Sequence, residues 1–371
     1  MLKKFSVKGF RNFEKEIEFD LSAGGYDFNS NAVKNKIVKN AIIFGPNGAG
    51  KSNFGYALFD IVLNLTDKEK RPEKYANFLN FDTLDKHVEF TYTFIFDNTE
   101  IEYKYIKENV NLILYERLKF GNKVIVEWDR TKKIPIKFEL EGASKLNLTT
   151  FQGNISFVKW IYRGASFDLR KKECKLFNKM FDFVERMLLF KSLRFNEYIG
   201  FTNGSENIDR AIIEAGKLKD FEEFLRKYGV NYQLEPGPNH DFIVCKFKKV
   251  RTLFESVMST GTDALRLFFY WKMKLEKVSF VFIDEFDAFY HWDVAIDIIK
   301  NLRDMKDLQC VITTHNTDNM DNDVLRPDCY YILKNKDMKS VNNCTDKELR
   351  EVHNLQKLYR SGKFNGAFKN E

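Results

Sequence analysis

Eight consecutive residues, Gly45-Pro46-Asn47-Gly48-Ala49-Gly50-Lys51-Ser52, satisfy the spacing G-x-x-x-x-G-K-[ST]. Glycines at that spacing let the backbone curl so that successive N–H groups face one anion, and a helix starting just after them adds its positive end. In such a loop Lys51 would lie on the β- and γ-phosphates of a nucleotide, and Ser52 would give its hydroxyl to a Mg2+ ion bridging those phosphates. A second group ends the apolar run Val278-Ser-Phe-Val-Phe-Ile-Asp284-Glu285, where two carboxylates stand side by side. Beside a phosphate loop, Asp284 would hold the metal through water and Glu285 would orient and deprotonate an attacking water. Away from such a loop the pair reads as a strand running into an acidic turn. A third group, Ser259-Thr260-Gly261, is a small Ser/Thr turn at a helix start, which serves either as an anion-binding device or as a plain cap.

These groups need elements to hold them. Asn40 to Phe44 is a short apolar run stopping at glycine, the pattern of a buried parallel strand. From Ser52 to Leu65, Phe54, Leu58, Phe59, Ile61, Val62 and Leu65 cover one broad helical face, giving strand, glycine loop and helix. Alternation over Phe5 to Phe13 and Ile17 to Leu21 predicts two strands, and Val88 to Phe96, Glu100 to Ile106, Val110 to Tyr115 and Val124 to Trp128 predict an antiparallel meander. Between about Phe167 and Tyr228 the period turns helical, through Leu176, Met180, Phe183, Met187 and Phe190 and then Ile208, Ile212, Phe221, Phe224 and Leu225. His240 to Lys248 reads as a hairpin strand, Ala264 to Leu275 as a helix and Arg326 to Leu333 as a strand. Thr345 to Tyr359 is expected to close the chain as a helix with Leu349, Val352, Leu355 and Leu358 on one side.

Asp284 lies 232 residues beyond Ser52 (284 minus 52) but only 25 beyond Ser259 (284 minus 259). With motifs in this order the chain resembles the ABC-type ATPase heads of the SMC, RecF and OLD group, and within it the compact AAA-family ATPases of bacterial anti-phage systems. The resemblance covers roughly 1–150 and 240–371. It implies an α/β P-loop fold with a mostly parallel core sheet, an antiparallel β-subdomain and an α-helical insert: an N-terminal lobe over 1–150, the insert over 151–239 and a C-terminal lobe over 240–371. It implies ATP and Mg2+ as cofactors, with nucleotide contacts from Arg11, Asn12 and the loop through Asn53. Lys51, Glu285 and His315 would carry the chemistry, and Ser52 and Asp284 the metal. It further implies that Ser259, Thr260 and Gly261 form the signature segment, which meets the γ-phosphate held by the opposite protomer. Asp287 would be the D-loop acid, and His315, ending Val311-Ile-Thr-Thr-His315, the switch histidine. There are departures. No Q-loop glutamine follows the first helix; Asn80-Phe81-Asp82 stands where it is expected, with Gln152 the other candidate. His291-Trp292 replaces the usual His-Pro. OLD-type nucleases carry a further metal-dependent domain of about a hundred residues with a D-x-D, whereas 56 residues (371 minus 315) follow His315 here, and Asp321-Asn-Asp323, formally a D-x-D, lies in a polar stretch that is disfavoured as a metal site.

Composition narrows the classes. Hydrophobic residues at 44% and charged residues at 30% suit a folded chain and exclude disordered and fibrous classes. No apolar stretch approaches the roughly 18 residues of a membrane span, so no membrane role and a cytoplasmic location are expected. Five cysteines, Cys174, Cys245, Cys310, Cys329 and Cys344, show no C-x-x-C spacing, which argues against zinc or a disulfide framework. The net charge of +7 leaves DNA contact open. The expected function is a slow ATPase switch, a homodimer at least, with higher homo-oligomers open, that regulates or senses for a separately encoded toxin or nuclease in anti-phage defence. The alternative is a RecF-like clamp closing on duplex DNA in repair or genome maintenance. A transporter ATPase is disfavoured by the missing Q-loop.

Overall fold

In a computed structural model the described residues are 1–68, 77–132, 135–140, 143, 146–192, 197–201 and 207–368. Their architecture follows from the helical segment after the glycine loop, whose apolar side chains are buried on more than one face. Phe54, Ala57, Leu58, Phe59, Ile61 and Val62 are all fully buried, so the segment after the glycine loop must be covered on two faces. A mostly parallel sheet covers one of them. Its strand order is Glu197–Gly200, Met187–Ser192, Phe280–Ile283, Gln309–Thr314, Asn40–Phe44, Tyr330–Lys334, Asp337–Ser340. The five central strands run parallel, and the two edges are antiparallel. Contact with this sheet is close: a Cβ on Gly55 would lie 2.7 Å from the Phe282 ring, so only glycine lets the helix settle there.

An antiparallel sheet of seven strands covers the other face, in the order Lys137–Phe138, Lys123–Asp129, Leu112–Phe120, Thr99–Asn109, Val88–Phe96, Leu2–Lys8, Ile17–Asp20. The Phe54 ring meets Phe5 and Phe19 edge-on at 5.5 and 5.4 Å, and the Tyr92 hydroxyl donates to the Ala57 and Leu58 carbonyls. The α/β class, the parallel core and the antiparallel meander are therefore as expected. A third, three-stranded sheet of Leu234–Pro236, Ile243–Lys246 and Arg251–Leu253 packs with helices Ile208–Glu214, Leu218–Lys227 and Thr260–Leu275.

Four local expectations need correction. Met187 and Phe190, expected on a helix, lie in the Met187–Ser192 strand that pairs parallel with Phe280–Ile283. The helix before it ends at Glu185, and the apolar run continues as strand because a slot beside the acidic strand is free to pair. The helix expected over 52–65 breaks at Phe59 (φ −90°, ψ 0°) into Lys51–Leu58 and Asp60–Leu65. The strand expected over Val110 to Tyr115 runs instead over Leu112–Phe120, after a turn in which Asn109 Oδ1 accepts from the Asn111 and Leu112 amides. The closing helix is only Leu355–Arg360. Asn354 caps it by accepting from the Lys357 amide, and His353 Nδ1 accepts from the Arg350 amide, so side chains replace helix bonds upstream and Val352 is left 88% exposed. Parts of the expected helical stretch, 193–196 and 202–206, lie outside the described residues.

Candidate nucleotide site

The parallel sheet places its carboxyl ends along one rim, and the loop, acid-pair and histidine candidates collect there. Asn40–Phe44 pairs in register with Gln309–Thr314, and Gln309–Thr314 with Phe280–Ile283, so the glycine loop, His315 and the acid pair leave adjacent strands. Gly50 has φ 102°, and the Asn12 amide occupies the place a Cβ would take, so this corner of the loop requires glycine.

Lys51 is buried. Its ammonium donates to the Gly45 carbonyl at 2.9 Å and the Pro46 carbonyl at 3.2 Å, and stands 3.0 Å from His315 Nε2. Burial lowers its pKa, against the opposing pull of the Asp284 and Glu285 carboxylates. Ser52 is exposed at the second residue of the helix. Asn53 Oδ1 accepts from Arg11 Nη1 at 2.8 Å, while its amide donates to Asn12 Oδ1 at 2.8 Å. The Arg11 guanidinium, 4.9 Å from the Tyr56 ring centroid, is thus fixed beside the loop. Asn80 joins this corner by donating to the Arg11 carbonyl; Gln152 is exposed.

Two threonines organise the acids. Thr313 Oγ1 donates to buried Asp284 at 2.6 Å and accepts from the Glu285 amide at 2.9 Å. Glu285 is exposed and has φ 46°, a left-handed conformation that a non-glycine residue adopts at a cost. Thr314 Oγ1 donates to Asp287 at 2.6 Å, and Asn319 Nδ2 donates to the same carboxylate at 2.9 Å. Sequence reasoning gives Thr313, Thr314 and Asn319 no role. The only signal is Thr-Thr directly before His315 at a strand end.

Ser259-Thr260-Gly261, expected as the signature segment, is bonded within its own helix start. Ser259 Oγ caps its helix by accepting from the Thr262 amide, Gly261 lies against the Phe289 carbonyl, and Tyr290 donates to the Ala264 carbonyl at 2.9 Å. Among the described residues, no hydrogen bond or ion pair joins Ser259, Thr260 or Gly261 to the loop of Gly45 to Asn53. Asp321 Oδ1 accepts from the Asp323 amide, as in a turn, and the described residues contain no group of three His, Cys, Asp or Glu side chains suited to a metal.

Hydroxyl and carboxylate oxygens from Ser52 and Asp284 are the hard donors that suit Mg2+, an ion held largely by phosphate and water rather than by a protein cage. No helix among the described residues is long and apolar enough to cross a membrane. A search of curated proteins returns no match. Solved structures with a similar course include the SMC head domain from Thermotoga maritima, at 15% identity and TM-score 0.43 over 92% of this chain and 98% of that one. An SmcHead bound to the C-winged helix domain of ScpA gives 16% and 0.44 over 92% and 97%. The Smc head with an extended coiled coil, bound to the C-terminal domain of ScpA derived from Pyrococcus furiosus, gives 15% and 0.41 over 92% and 95%. The sequence profile of one family matches residues 41–320, three quarters of the chain, a span that contains Gly45 to His315. This chain belongs to that P-loop ATPase family, described as "AAA domain, putative AbiEii toxin, Type IV TA system".

Proposed function

We propose that the chain is an ATP-binding and ATP-hydrolysing switch whose two copies close around nucleotide, and that its state regulates, or senses for, a separately encoded toxin or nuclease in defence against phage. The observation that carries this reading is the meeting at Lys51: the ammonium lies 3.0 Å from His315 Nε2 and within the field of Asp284 and Glu285. The family's description, a putative toxin of a type IV toxin–antitoxin system, supports a two-component system with a second, separately encoded protein.

In this reading Lys51 leaves the Gly45 and Pro46 carbonyls for the phosphates. A bound Mg2+ would be held by Ser52 and Asp284 and would neutralise phosphate charge. Asp284 keeps its orientation through the Thr313 hydroxyl, and Glu285, exposed at the rim, takes the proton of the attacking water. His315 sits where the γ-phosphate would arrive. The signature residues Ser259, Thr260 and Gly261, with Asp287, complete the site of the opposite copy and exclude water from it. Closure needs nucleotide, and hydrolysis releases it, so the dimer is the two-state element.

Lys51→Ala is expected to abolish nucleotide binding and turnover together. Glu285→Gln should retain binding, lower turnover by about 10²–10⁴-fold, and accumulate a dimer in ATP on light scattering. Wild-type turnover in Glu285→Gln would remove the general base from the proposal.

A further inference from the structure

The three-stranded sheet has one covered face and one open face. Leu234, Ile243 and Cys245 are buried on the inner side. The outer side forms an open groove of about 570 Å³, whose apolar wall is Pro236, Phe242, Val244 and Leu253. Leu253 stands opposite Val244 in register, is 44% exposed and lies on the edge strand. From this wall the same two strands run into a cationic end. Lys246 and Arg251, opposite each other, share a single carboxylate, Glu235, at 3.2 and 3.1 Å. Lys248 and Lys249 form the exposed turn between them, closed by the Phe247 amide donating to the Val250 carbonyl at 2.9 Å. Arg251 and Glu235 line the groove itself, and four cations against one carboxylate leave a surplus of three positive charges on the strand ends and turn just beyond it.

We propose that this groove receives an extended segment of a partner protein in which aliphatic or aromatic side chains are followed by Asp or Glu. Charge complementarity decides the occupant: the apolar wall takes the hydrophobic side chains, and the turn takes the carboxylates. A nucleic-acid backbone would use the lysines but has nothing to set against Pro236, Phe242, Val244 and Leu253. The groove is wired to the signature helix. Asp209, itself buried, accepts from the Ile243 amide at 3.0 Å and from Arg266 Nη1 at 2.9 Å, and Arg266 lies on the helix that Ser259 caps. A segment docked in the groove therefore bears on the element proposed to close the dimer. Only this last consequence rests on the switch reading; the groove and its occupant do not.

The test is selection of a displayed random 12-mer peptide library on the full chain, followed by affinity measurements with the enriched peptides. Expected are sequences pairing Asp or Glu with aliphatic or aromatic residues. They should bind at least about tenfold more weakly to Lys248→Glu/Lys249→Glu and, separately, to Leu253→Asp, a loss equivalent to about 1.4 kcal/mol. Both variants should keep wild-type ATP binding and melting temperature, which separates failure of the groove from failure of the nucleotide site or of folding. No enrichment, enrichment of acid-poor sequences, or equal binding to the variants would overturn the proposal. So would a 20-base-pair DNA duplex that outcompetes the peptides and loses affinity in the lysine variant, which would reassign the surface to nucleic acid.

Discussion

One hydroxyl does the positioning at the rim. Thr313 Oγ1 donates to Asp284 and accepts from the Glu285 amide, so a single side chain orients the first acid and holds the left-handed turn that presents the second. Thr313→Val keeps shape and removes both bonds. Groups that orient ligating carboxylates typically carry 10–100-fold in activity. Thr313→Val is therefore expected to lower kcat by about that factor with nucleotide affinity within a few fold, checked by steady-state turnover beside fluorescent nucleotide titration. Unchanged kcat would mean that the turn holds Glu285 without the hydroxyl. That Lys51, Asp284 and Glu285 would come to one rim was legible in residue type and spacing, whereas His315 was reached only through the family resemblance. Thr313 was not legible, since a threonine before a strand end acquires this role only when a neighbouring strand brings the acids alongside.

At the next scale, the element after the phosphate helix is tied to the meander by buried charge. Asp60 begins the Asp60–Leu65 helix, is fully buried, and accepts from Lys107 at 2.5 Å and from Tyr105 at 2.9 Å. Asn64, one turn on, donates to Tyr103 at 2.8 Å, which in turn donates to Glu116 at 2.5 Å. Burial pushes the Glu116 carboxyl above the usual range although Ser156, Tyr103 and the Phe157 amide all donate to it. Removing one partner of such a pair strands a charge, which costs about 3–5 kcal/mol. Lys107→Met should lower urea-unfolding stability by about that amount, and Lys107→Met/Asp60→Asn should recover most of it, because the amide oxygen of the neutral replacement still accepts from Tyr105. A double variant as unstable as the single would show that packing, not the orphaned carboxylate, sets the loss. Elements with a long, clean period were legible, such as Val88–Phe96 and Thr260–Leu275. Met187–Ser192 was not, because Met-Leu-Leu-Phe follows a helix without glycine or proline, and a short apolar run carries no period of its own.

At the scale of the whole molecule, the proposal predicts incomplete sites in each chain. The loop residues and acids of one copy share a rim, whereas Ser259, Thr260 and Gly261 sit on a separate helix start with no bond to that rim among the described residues. A symmetric dimer would bring each signature to the other copy's loop, giving two composite sites. Complementation tests this directly. Lys51→Ala should be inactive alone, and so should Ser259→Arg, which blocks the face and loses a cap for about 1 kcal/mol without unfolding the chain. In a mixed dimer both defects fall on one site, leaving the other with an intact loop and an intact signature. Random 1:1 mixing makes half of the dimers mixed, each with one of two sites intact, so turnover should return to about a quarter of wild type. Turnover staying at zero after subunit exchange, shown by mixed dimers carrying two different labels, would mean that loop and signature do not act on one nucleotide across the interface. If Ser259→Arg alone turned over ATP at the wild-type rate, each chain would have to hydrolyse with its own rim.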